Sequence, residues 1–240
     1  MIKSYWIRSK RTPVRVLMIL APILYSVIIC VFFSVSKTLK GQEVLSFFAM
    51  LSIIASFSLS VLVPMVYDSD KLASFYANDL RIGINRRRLF LTRFVLIKLI
   101  CVVVVLIAVS LLAIFLLVTD KLFHRTEFIL LTITLLITLM PMIVVYQYVS
   151  LRFSYSGSVI MGCLTTLAAI LLGTTHLGDN ICQFLPFTWP IKLTFDVGKE
   201  MIPFHVLSLF WMGSVLITSI LLYLLSLWYN NWDGVTRLEE

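Results

Sequence analysis

The sequence predicts an all-α polytopic membrane protein, with six transmembrane helices in a single domain over residues 1–240 and both termini in the cytoplasm. Three observations predict it. Hydrophobic residues make up 60% of the chain and charged ones 13%, against roughly 45–50% and about 25% in soluble domains. Apolar runs of about 20 residues recur along the chain, the length a helix needs to cross ~30 Å of hydrocarbon. Lys and Arg, finally, crowd into alternate inter-run segments. Backbone amides cannot stay unpaired in lipid, so each run is expected to be an α-helix.

Residues 1–13, MIKSYWIRSKRTP, precede the first run. Ile2, Tyr5 and Trp6 share one helical side and Lys3, Arg8, Lys10 and Arg11 lie mostly elsewhere, so the segment fits a short interfacial helix or a simple topology determinant. The run after it is too long for a signal-peptide core and no small-residue cleavage site follows, so it is expected to stay as an anchor. The six runs are residues 14–35, 44–67, 94–118, 128–150, 159–173 and 205–228, the fifth being the shortest. Pro22, Pro64 and Pro141 fall inside runs, where each kinks its helix or frees a carbonyl. Ser52, Ser56 and Ser60 recur every four residues on one face of the second run, as Thr134 and Thr138 do on the fourth. Close helix packing explains such stripes, and a polar translocation path is the alternative.

Charge sets the orientation. With the N-terminus inside, fourteen of the twenty Lys and Arg residues fall on inner segments, whereas the twelve acidic residues divide evenly. A bias confined to Lys and Arg is the positive-inside signal. The net charge of +8 therefore reports topology, and no nucleic-acid-binding module accompanies it. The expected location is the cell membrane.

The runs carry almost no ionisable groups: Lys98 is near enough to the inner end of its helix to snorkel, and Glu127 and His205 sit at outer boundaries. Proton-coupled carriers and intramembrane hydrolases need such groups at depth. The chain also lacks a Gly-x-x-x-x-Gly-Lys-Ser/Thr phosphate loop, so any work driven by ATP needs a second subunit. Cys30, Cys101 and Cys163 fall within runs as packing residues. Cys182 lies with His176 in the outer segment 174–204; nothing there orients them as a catalytic pair. No catalytic, cofactor or metal site is expected.

The most informative polar segment is residues 68–93, on the inner side. Asp68, Ser69 and Asp70 are helix-starting residues and Gly83 is a stop. Between them Leu72, Phe75, Tyr76 and Leu80 form one stripe of a helix of about three turns. A helix that short is marginal alone, so the stripe is expected to pack on the membrane surface or on a partner. Arg86, Arg87, Arg88 and Arg93 then form an inner-face basic cluster leading into the third run.

The stretch DSDKLASFYANDLRIGINRRRLFLTRFVLIKL resembles the membrane subunits of type-2 ABC exporters, most closely the lantibiotic-immunity permeases of Gram-positive bacteria. Ala73, Asn78, Leu80, Arg87 and Lys98 fit that pattern; Asp70, Ser74 and Tyr76 depart from the usual glutamate, glycine and phenylalanine. The outer LPFTWPIKL, residues 185–193, is similar to a proline-and-aromatic segment in the same permeases. The resemblance implies a coupling helix between the second and third spans, with Leu72, Phe75, Tyr76, Asp79 and Leu80 docking on a cytoplasmic ABC ATPase dimer. It also implies a second permease subunit, identical or related, ATP and magnesium held on the ATPase, and an amphipathic peptide bacteriocin expelled from the membrane. Other readings are an exporter of another peptide or drug, or a membrane scaffold that recruits a cytoplasmic protein without transport.

Overall fold

The computed structural model describes residues 14–35, 41–74, 85–119, 125–178, 181–199 and 201–232, with the backbone alone for 68–74 and 176. Every regular element in them is helical: α1 (Val14–Val35), α2 (Glu43–Ser74), α3 (Arg86–Val118), α4 (Arg125–Thr138), α5 (Met140–Thr174), α6 (Trp189–Gly198) and α7 (Phe204–Asn230), with two short 3-10 turns between α5 and α6. Five stretches are long and apolar enough to cross a membrane: Val14–Val35, Glu43–Tyr67, Arg86–Val118, Arg125–Thr174 and Phe204–Asn230. The chain is a multi-pass α-helical membrane protein.

The fourth of these stretches has 50 residues, about 75 Å of helix at 1.5 Å per residue, far beyond one ~30 Å crossing. It folds back on itself. At Ser154 the backbone takes φ 62° and ψ −167°, a region that glycine alone visits readily. Beyond that point the Tyr146 hydroxyl and Thr165 Oγ1 meet at 2.9 Å. On a straight helix, residues nineteen apart would be about 28 Å apart, so the two arms of α5 are antiparallel.

Proline explains how the hairpin is held. Pro64 lies inside α2 and has no N–H to give the carbonyl four residues back, which belongs to Ser60. Ser158, on the returning arm of α5, donates its hydroxyl to that carbonyl at 2.8 Å. Pro141, near the start of α5, likewise deprives Ile137, and Ser214 of α7 donates to the Ile137 carbonyl at 2.8 Å. Both of these carbonyls find a hydroxyl on a neighbouring helix, as hydrocarbon surroundings demand.

Ser52, Ser56 and Ser60 are buried, and each hydroxyl bonds back to its own helix, to the carbonyls of Ala49, Ser52 and Phe57. With the hydroxyls turned inward, neighbours approach closely. Gly162 sits so near Ser60 that a side chain on it would overlap the Ser60 Oγ and Cβ. Thr134 and Thr138 are buried too, with the Trp211 indole N–H donating to Thr134 Oγ1 at 3.2 Å.

α1 lies at the edge of the bundle. It leans on α3 and α2 through the Ser26 hydroxyl, which donates to the Ala108 carbonyl at 3.2 Å, and the Tyr25 hydroxyl, which donates to that of Phe47 at 2.7 Å. Its remaining surface, including Val16, Ile19, Ile28 and Val31, is exposed, as suits a face bathed in lipid.

The segment 174–204 differs from the loop expected there. Most of it is a folded plug: in α6, Ile191, Leu193 and Thr194 are buried, Gly173 abuts Ile191, and Gly198 abuts Leu45 at the start of α2. At ten residues α6 cannot span a bilayer, so a search for long apolar runs passes over it. Pro190 occupies the first turn of α6, where its missing N–H costs nothing.

Candidate functional site

The end of the bundle where α2 leaves the apolar core gathers Arg86, Arg87, Arg88, Arg93 and Arg152. α3 starts earlier than its apolar run. Asn85 caps it, its Oδ1 accepting the Arg87 N–H at 3.0 Å, and 33 residues make a rod of about 50 Å, so its first turns project beyond the hydrocarbon. The arginine cluster is thus helical from Arg86 onward.

Its members do different things. Arg86 Nη1 donates to the carbonyls of Trp232 and Asn230, at 2.8 and 3.2 Å. A cation on these carbonyls complements the negative end of the α7 dipole. Arg87 and Arg88 are exposed. Arg93 is only 1% exposed, its guanidinium 4.6 Å from the centre of the Tyr67 ring. The Tyr67 hydroxyl in turn accepts a hydrogen bond from Gln147 Nε2 at 2.8 Å. A buried arginine, an aromatic ring and an amide therefore link α3, α2 and α5 at one level, just where α2 passes out of its apolar stretch at Tyr67. Buried polar groups at such a boundary are costly and mark functional positions.

An aromatic wall continues the site. Trp228 meets Tyr148 edge-on at 4.9 Å, Trp232 stacks on Tyr229 at 5.5 Å, and Tyr229 tilts against Phe90 at 5.6 Å. Arg152 Nη1 donates to the Tyr148 hydroxyl at 3.3 Å. Aromatic rings mixed with arginines are typical of a membrane interface.

Comparison with protein-family models, with curated proteins and with solved structures gave no match.

The structure corrects one local expectation at this site. Asp68, Ser69 and Asp70 do not start a helix, because α2 runs through them without a break from Glu43 to Ser74. Extending an existing helix by a turn is far easier than nucleating a new one, and neither Gly nor Pro interrupts residues 65–74. Of the docking stripe, Leu72 lies on this continuous helix, with its side chain outside the described residues; Phe75, Tyr76, Asp79 and Leu80 lie outside them altogether.

Sequence reasoning missed Tyr67 and Gln147. The signal was present: Gln147 is an amide within an otherwise apolar run. Cys182, for which the sequence shows no orienting partner, is 3% exposed and donates its thiol to the Leu172 carbonyl at 3.2 Å. Its own carbonyl accepts from the Trp189 indole at 2.9 Å, which makes it a clasp for the plug. Among the described residues no three His, Cys, Asp or Glu side chains group as metal ligands.

Proposed function

We propose that this chain is the membrane-spanning permease subunit of an ATP-driven exporter of the type-2 ABC kind, crossing the membrane six times with both termini in the cytoplasm. The observation that carries the reading is the unbroken course of α2 from Glu43 to Ser74, about 48 Å of helix. That rod ends in the segment whose sequence resembles a coupling helix. Tyr67 is held by Arg93 and Gln147, and Ser60 by Ser158. A push at the cytoplasmic end of α2 is therefore transmitted to both arms of α5 rather than lost in a hinge.

Counting the two antiparallel arms of Arg125–Thr174 separately supports six crossings, and the Lys and Arg partition supports an arginine-rich end on the inside. ATP and magnesium belong to a separate cytoplasmic ATPase dimer, a second permease subunit completes the path, and this chain is not itself an enzyme. The cargo is an amphipathic peptide of the lantibiotic type, taken from the membrane and returned to the medium in a Gram-positive cell. A path almost free of ionisable groups suits a substrate drawn sideways from lipid better than a hydrated ion.

Phe75→Glu or Leu80→Glu tests the reading. Each is expected to abolish co-purification with the ATPase while membrane insertion stays intact. Unchanged co-purification counts against a docking role, and a wild-type chain that captures no ATPase from its native membrane removes the exporter reading.

A further inference from the structure

A second feature depends only on the chain's place in a membrane. Between α1, α2 and α3 lies a cavity of about 220 Å³ lined by Met18, Pro22, Ala55, Leu62, Cys101 and Val104 among others. Its walls run along α1 from Val14 to Tyr25, a rise of about 16 Å and so about half of the ~30 Å hydrocarbon thickness. The depth matches one leaflet. An enclosed apolar cavity of about 150 Å³ accepts benzene, and this larger groove, open along one side, has room for a run of methylenes. Tyr25, at the far end, has its hydroxyl engaged by the Phe47 carbonyl.

The near end carries charge. Val14 packs with Leu96 and Ile100, which puts Arg15, next to Val14, and Lys98, between the two α3 residues, at one level on adjoining helices. Lys98, Cys101 and Val105 follow at offsets 0, 3 and 7 on α3, and the last two line the cavity; Arg15, Met18 and Pro22 repeat the spacing on α1, with the last two again in the lining. Residues so spaced share a helix face, so Arg15 and Lys98 continue the lining faces of α1 and α3 by one turn beyond the cavity, on its cation-bearing side. Both are partly exposed.

We infer that the α1–α2–α3 groove holds one acyl chain of an anionic phospholipid, whose phosphate sits at Arg15 and Lys98. Lipid tails are as apolar as the groove, so transfer from the bilayer supplies no hydrophobic gain. Selectivity comes from the two cations, at about fivefold per charge near a membrane surface and so roughly thirtyfold together. A helix of a second copy fits less well, because the groove is only one leaflet deep.

The test uses the full chain purified in mild detergent, loaded with dioleoyl phosphatidylglycerol or dioleoyl phosphatidylcholine and read by native mass spectrometry. Wild type is expected to keep one phosphatidylglycerol in preference to phosphatidylcholine. Arg15→Gln with Lys98→Gln should lose most of that preference while still binding one lipid of either kind. Ala21→Trp, at an exposed position of the groove lining, should release both lipids while remaining monodisperse. Equal retention of the two lipids by wild type overturns the proposal, as does retention by Ala21→Trp at the wild-type level. A lipid-free dimer that Ala21→Trp splits would assign the groove to a second copy and overturn it too.

Discussion

Ser158 supplies the hydrogen bond that Pro64 denies to the Ser60 carbonyl. The pair predicts a specific energetic coupling. Ser158→Ala leaves a buried carbonyl unsatisfied and is expected to lower unfolding stability by about 1–2 kcal/mol. Adding Pro64→Ala restores a backbone N–H four residues along, so the double variant should recover most of the loss. Unfolding titrations of the four proteins of this cycle measure the coupling; Ser158→Ala as stable as wild type would show that the bond contributes nothing, and no recovery in the double variant would show that Pro64 is not what frees the carbonyl. The same cycle on Ser214 and Pro141 should behave alike.

Gly162 and Ser60 mark the closest approach of the returning α5 arm to α2. Gly162→Val is expected to cost about 1–3 kcal/mol through overpacking, visible as a lower melting temperature in detergent. Ser60→Gly makes room opposite and should restore part of it. If Gly162→Val melts with the wild type, the two helices are further apart than described.

Much of this architecture was legible in the sequence, and the divide between what was and was not is physical. Composition and run length report the solvent, so the all-helical membrane class and the long apolar helices could be read directly. Pro64 and Pro141 announced freed carbonyls, but the hydroxyls that fill them, on Ser158 and Ser214, depend on which helices are neighbours. No linear pattern records that. α6 escaped because a buried ten-residue helix has neither the length of a span nor the polarity of a loop. Asp68–Asp70 misled because good capping residues are also tolerated in the last turns of a helix already formed. Arg93 read as one of a cationic run, and only the fold separates it, buried against Tyr67, from exposed Arg87 and Arg88.

Ser154 holds a backbone conformation that costs a side-chain-bearing residue about 1–3 kcal/mol. Ser154→Gly relieves this, and even after glycine's larger loss of chain entropy it is expected to hold or raise stability, by up to about 1 kcal/mol. Ser154→Val, β-branched, should lower it by about 2 kcal/mol. Thermal unfolding monitored by intrinsic tryptophan fluorescence ranks the three, and a valine variant as stable as glycine would mean that the turn is not strained.

The hairpin also predicts which positions face opposite sides of the membrane. Ser156 lies two residues past the reversal, and Gly173, at the other end of that arm, packs on Ile191 of the plug. Seventeen residues of helix separate Ser156 from Gly173, about 26 Å, nearly a full hydrocarbon thickness. Met201 lies on the plug's side of the bundle, its N–H bonded to the Asp196 carbonyl at 2.9 Å. Both Ser156 and Met201 are exposed. In a background with all four cysteines replaced by serine, Met201→Cys should therefore react with a membrane-impermeant maleimide on intact cells, and Ser156→Cys only after permeabilisation. The opposite pattern would invert the orientation that the Lys and Arg partition implies, and labelling of both on intact cells would mean that the two arms of α5 do not cross the membrane separately.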